Sequence, residues 1–159
     1  MGTEEFSIEH GHDEYTDAEL LEQAQANAQA LLLATAAFLE SRGISLDDWA
    51  VAVGETLSRG WGEPRAWDAG EFLDAILTNL RALGAEVIAV DLGVERATAV
   101  TFGFPSRELC GLFGVDFAAA TAVYEAIGVI AGLRGLDWSW QGADGDTIRV
   151  TVAPLVRDD

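Results

Sequence analysis

The sequence predicts an α+β fold: three N-terminal helices, then a β-hairpin, a buried helix and a second β-hairpin, the hairpins forming one four-stranded antiparallel sheet. Three observations carry this reading. Strand-like alternation fills residues 86–104 and 136–152, an almost unbroken apolar segment spans 115–133 between them, and the first half repeats apolar residues at three- and four-residue steps.

In the first helix Leu20, Leu21, Ala24, Ala28, Leu31, Leu32, Thr35, Phe38 and Leu39 recur at helical spacing. Thr16 with Glu19 makes a capping box at its start, and Gly43 follows its end. Ser45 opens a second helix over about 46–58, with Leu46, Trp49, Val53 and Leu57 on one stripe and Gly60 as its stop. A loop over 60–67 leads to a third, opened by Asp68 and Glu71 and carrying Phe72, Leu73, Ile76, Leu77, Leu80 and Leu83 before Gly84.

The first hairpin alternates Ile88, Val90 and Leu92 with Val87, Ala89 and Asp91, turns through 93–96, and returns as Val100, Phe102 and Phe104 against Ala99, Thr101 and Gly103. That second face is small, so something must pack closely on it. The segment 115–133 mixes Phe117, Val123, Ile127, Val129, Ile130 and Leu133 with many alanines and with Gly128 and Gly132, which predicts a helix buried on several faces. In the second hairpin Leu136, Trp138 and Trp140 share a face, and Ile148, Val150 and Val152 alternate with Thr147, Arg149 and Thr151 after a Gly- and Asp-rich turn.

The 159 residues suit one domain over 16–159. Residues 1–15 read as an acidic tail. With 9 basic and 27 acidic residues the formal charge is -18, and every basic residue is arginine. Such a surface repels phosphate, so nucleic acid is excluded as a partner, and anionic lipid with it. Asp116, Thr121, Tyr124 and Glu125 interrupt the apolar segment, which also lacks basic flanks, so a membrane span is set aside. With no signal-peptide pattern and a lone cysteine, a cytoplasmic protein is expected.

Few residues point to chemistry. His10 and His12, the only histidines, stand among carboxylates in the tail, a weak metal-ligand set that solvation of the tail explains as well. Cys110 is the one thiol; as a nucleophile it would need a base or a helix N-terminus to lower its pKa, and as a small buried hydrophobe it would need neither. Nothing matches a serine elbow, a phosphate-cradling loop or a dinucleotide fingerprint. Glu125, if enclosed, is a carboxyl able to orient a ligand; if exposed, it is a solvated group. Trp138 and Trp140 read either as pocket walls or as core.

The glycine-bearing apolar helix Ala126-Ile127-Gly128-Val129-Ile130-Ala131-Gly132-Leu133, leading into the Trp138 hairpin and the closing strand Thr147-Ile148-Arg149-Val150-Thr151-Val152, resembles the 4-vinyl reductase domain and its relatives among trafficking-complex subunits and haem-based nitric-oxide sensors. The resemblance covers residues 84–152. It implies a dimer-forming α+β module with a small hydrophobic cavity between helices and sheet. Trp140 and Ile148 stand where that domain commonly carries two cysteines, and the proximal haem histidine is missing, so the thiol pair's metal or redox chemistry does not carry over and no cofactor is assigned.

The leading expectation is thus a homodimeric module that binds a small apolar or aromatic ligand or acts in regulation, with Glu125, Tyr124, Trp138, Trp140 and Phe102 around the cavity. Second stands an assembly protein with a fully packed core, using Gly128, Gly132, Ala97, Ala99 and Gly103 for close contact between subunits. Third is a hydrolase of small heterocyclic or amide substrates acting through Cys110.

Overall fold

The computed structural model describes residues 15–62 and 65–156. The elements follow the order α1 (Asp17–Ser41), α2 (Leu46–Ser58), a 3-10 turn (Arg59–Trp61), α3 (Ala69–Ala82), β1 (Glu86–Leu92), β2 (Ala97–Phe102), α4 (Arg107–Phe113), α5 (Phe117–Ala120), α6 (Ala122–Gly132), β3 (Leu136–Ala143) and β4 (Thr147–Pro154). The fold is α+β, and its four strands form one antiparallel sheet in the order β1-β2-β4-β3. His10, His12 and nearly all of the acidic tail lie outside the described residues.

Local chemistry sets the helix starts. Thr16 and Asp68 each form a complete capping box, with Glu19 and Glu71, and Ser45 and Ser106 accept from the backbone N–H of Asp48 and Leu109. Each cap satisfies amide donors that the helix leaves unpaired.

The sheet buries one face. Ala97, Ala99 and Thr101 of β2 and Ile148, Val150 and Val152 of β4 turn inward. The small face of β2 is thus the core face, and its lack of bulk lets α3 bring Phe72, Leu73 and Ile76 into the same cluster. Val100 and Phe102 point the other way. Phe102 stands opposite Glu86 and Thr147 and is 42% exposed, so it cannot wall an internal cavity. A β-bulge between Val87 and Ala89 adds one residue to β1, so Val90 pairs with Ala99 and Leu92 with Ala97; Ile88, Val90 and Leu92 all remain exposed on this edge strand.

The apolar segment 115–133 is not one helix. Asp116 caps a new start at Phe117, and at Thr121 the chain breaks between α5 and α6, the Thr121 hydroxyl donating to the Ala118 carbonyl at 2.7 Å. The segment Phe117–Gly132 turns 114° from α4. Among the described residues, no single helix is long and apolar enough to cross a membrane.

Two glycines let α6 be approached on both sides. A Cβ at Gly54 of α2 would come within 2.6 Å of the Ala126 carbonyl and 2.7 Å of Val129, and one at Gly128 would meet the Trp138 ring at 3.3 Å. Gly128 therefore serves packing within the chain, as do buried Ala97 and Ala99, rather than standing free for a subunit contact. Gly132 is exposed.

One buried polar side chain ties α1 to the rest. Gln29, 5% exposed, donates to the Leu83 carbonyl at 2.7 Å and the Gly103 carbonyl at 3.1 Å, and accepts from the Ser106 N–H at 2.9 Å. It joins the end of α3, the end of β2 and the start of α4. All of its bonds serve backbone groups that would otherwise be unpaired.

Candidate functional site

Four of the five residues expected around a cavity do come together, on the sheet side of α6. Tyr124 is fully buried and its hydroxyl donates to the Phe104 carbonyl at 2.8 Å. Its ring lies 5.5 Å from Trp140, 6.2 Å from Phe104 and 6.5 Å from Trp138, an aromatic cluster built from α6, β3 and the end of the first hairpin. Burial pushes the Tyr124 phenol up to about 12, with partial relief from Thr101. The Trp140 indole donates to Glu125 at 2.8 Å. Glu125 itself is exposed, so the enclosed, ligand-orienting carboxyl is not what the fold makes; the side chain stands in solvent and holds an indole in place. The Trp138 indole N–H is buried and has no partner among the described residues.

The apolar cavity lies on another face of α6. Val123, Ala126, Ile127 and Ile130 turn toward α2 and α3, whose Leu57, Ile76, Leu80 and Leu83, with Trp61 and Phe104, complete the walls around about 270 Å³. The spacing of these α6 residues is one helical stripe, and Tyr124 falls off it toward the sheet. Among the described residues that line it, Asn79 is the sole polar side chain apart from the Trp61 indole. Its amide N–H donates to the Ala75 carbonyl at 2.8 Å, which leaves the amide oxygen at the rim as an acceptor. Phe104 belongs to both places, packing on Tyr124 and lining the cavity.

In the sequence the cavity residues are legible only as core. Ile76, Leu80 and Leu83 of α3 read as a buried stripe, and nothing local distinguishes a stripe that meets atoms from one that borders a gap. Two signals exist. Gly54, within the apolar stripe of α2, marks the close approach that brings α2 onto α6, and Trp61 between Gly60 and Gly62 marks a bulky side chain on a short turn.

Behind Trp61 sits Arg134, 7% exposed, with its guanidinium 5.7 Å from the indole ring. It donates to the Ser58 hydroxyl at 2.8 Å, the Ser58 carbonyl at 3.0 Å and the Ile130 carbonyl at 3.4 Å. These oxygens close the C-terminal ends of α2 and α6, where a cation is favoured, so the charge is held by helix ends. Burial lowers the Arg134 pKa.

Cys110 is 3% exposed and packs with Leu33, Val115 and Ala120. Burial raises its pKa, only partly opposed by Arg107. A thiol so placed is the reverse of an activated nucleophile. The open face of the sheet carries a wider depression of about 390 Å³ lined by Arg96, Asp137, Ser139, Gln141, Arg149 and Thr151 among others, a polar and solvated surface. Among the described residues no group of three His, Cys, Asp or Glu side chains is placed to hold a metal ion.

Comparison with protein-family models, curated proteins and solved structures finds no match for this chain.

Proposed function

We propose that the protein is a small-ligand-binding module whose site is the apolar cavity between α2, α3 and α6. The observation that carries this reading is the cavity itself: about 270 Å³ walled by Trp61, Ile76, Val123, Ile127 and their neighbours, with one amide oxygen at its edge. An engineered cavity of about 150 Å³ holds benzene, so this one has room for a one- or two-ring aromatic or a branched aliphatic of similar bulk. The ligand class is accordingly apolar, with at most one donor group to meet Asn79. The resemblance to the 4-vinyl reductase domain over residues 84–152 implies a hydrophobic pocket between helices and sheet; the pocket proposed here is likewise apolar but lies between α6 and two helices outside that range.

Indole is a suitable probe, since its ring fills such a space and its single N–H suits the Asn79 oxygen. Ligand at 100 times its Kd stabilises the folded state by about 2.7 kcal/mol, a rise in Tm of roughly 5–10 °C for a chain of this size. Val123→Trp, which fills the space, should abolish the rise while leaving the circular dichroism spectrum unchanged. A flat response of the wild type to indole and to other one- and two-ring aromatics, or an equal response of the variant, would count against the reading.

A further inference from the structure

We infer that the outward face of α1 is the interface of a two-fold symmetric, antiparallel homodimer. Opposite the face that carries Gln29 and Ala36 into the core, Leu20, Ala24, Asn27, Leu31, Ala34 and Phe38 line up at steps of four and three residues. This is the spacing by which one helix seats against another along a seam. Leu31 is 71% exposed, Phe38 56% and Leu20 53%.

Composition sets this face apart from the other exposed helix faces. α2 shows Asp47, Asp48 and Glu55 to solvent, and α3 shows Glu71, Asp74 and Arg81. α1 carries no charged residue at all from Gln23 to Leu39, in a chain of formal charge -18. A second copy of the same chain brings the same negative charge, so contact is least opposed where neither copy is charged. The middle of this α1 face is such a place on both.

Direction follows from the ends. In an antiparallel pairing centred on Gln29, Leu20 faces Phe38 of the second copy, Ala24 faces Ala34 and Asn27 faces Leu31, so the large ends meet, the alanines meet, and an amide packs beside each central leucine. Asn27 already accepts a hydrogen bond from Gln23 at 2.8 Å, so its amide oxygen is engaged within its own helix. Arg42, the C-terminal cap residue of α1, then lies toward the acidic N-terminal end of the other helix, where Asp17 and Glu19 stand. A parallel pairing would bring the two acidic ends together instead. The seam from Leu20 to Phe38 is about 27 Å long at 1.5 Å per residue. This is a modest footprint, so the dimer should depend on protein concentration. The inference is independent of the ligand cavity, which lies on other elements.

Sedimentation velocity of the full chain over a range of concentrations should show a monomer–dimer equilibrium, and Leu31→Glu should remove the dimer without changing the circular dichroism spectrum. Orientation is read by cysteine pairing in a Cys110→Ala background: Ala24→Cys mixed with Ala34→Cys should give a mixed disulfide on mild oxidation, while neither variant alone cross-links efficiently. A chain that stays monomeric at all concentrations, a dimer indifferent to Leu31→Glu, or an Ala24→Cys variant that cross-links to itself would each overturn the inference. Monomeric protein would leave the face to a different partner.

Discussion

At the scale of single residues, the buried hydrogen bonds decide most. Tyr124 is protonated in the fold well beyond its ordinary range, because burial disfavours the phenolate. Its folded pKa is raised from 10.0 to about 12, so its contribution is fully present below pH 10 and is lost as pH rises from there through about 12. Two pH units correspond to about 3 kcal/mol. Chemical denaturation measured between pH 9 and 12 should show this decline in the wild type and a shallower one in Tyr124→Phe. Gln29 makes a second test. Gln29→Ala leaves the Leu83 and Gly103 carbonyls and the Ser106 N–H without their partner, and should cost about 2 kcal/mol in a urea unfolding experiment. A loss below about 0.5 kcal/mol would mean that water replaces the amide at no cost.

At the scale of elements, what can be read from sequence is what is decided locally. Thr16 with Glu19, and Asp68 with Glu71, announce the starts of α1 and α3 because both members of each capping box lie within four residues. The alternation around Trp138 and Val150 announces β3 and β4 for the same reason. Faces are harder. Which side of β2 turns inward depends on α3 needing room over Ala97 and Ala99, a demand made by residues more than twenty positions earlier in the chain, and so the alternation of β2 alone does not place Phe102 outside. The bulge after Val87 and the break at Thr121 likewise answer to packing rather than to any local signal. For the proposed site, the sequence points to α6 but to a different stripe of it: Tyr124 draws attention as a polar interruption, whereas Val123, Ile127 and Ile130 border the space and look like ordinary core. A cavity arises where three elements fail to fill a volume, and no single element records that. The α1 seam is the opposite case. Its repeat is plain in the sequence, but only the structure shows that Leu20, Leu31 and Phe38 face away from the core.

At the scale of the whole molecule, charge and cavity set the behaviour. A net charge of -18 on 159 residues opposes folding through self-repulsion and opposes association of two copies, and added salt screens both. Raising sodium chloride from about 10 mM, where the Debye length is roughly 30 Å, to about 150 mM, where it is roughly 8 Å, should therefore raise Tm and strengthen the dimer together. A dimer that weakens with salt would instead indicate an interface held by ion pairs. Beneath that surface the three layers, sheet, then α3 with α6, then α2 against α6, bury the aromatic cluster on one side of α6 and leave the cavity, open to solvent at its rim, on another. The two sites predict different maps of the same titration. Methyl and indole resonances recorded while indole is added should move saturably at Val123, Ile127, Ile130, Leu83 and the Trp61 indole, and stay still at the Trp140 indole; no saturable change, or changes centred on Trp138 and Trp140, would contradict the cavity as the binding site.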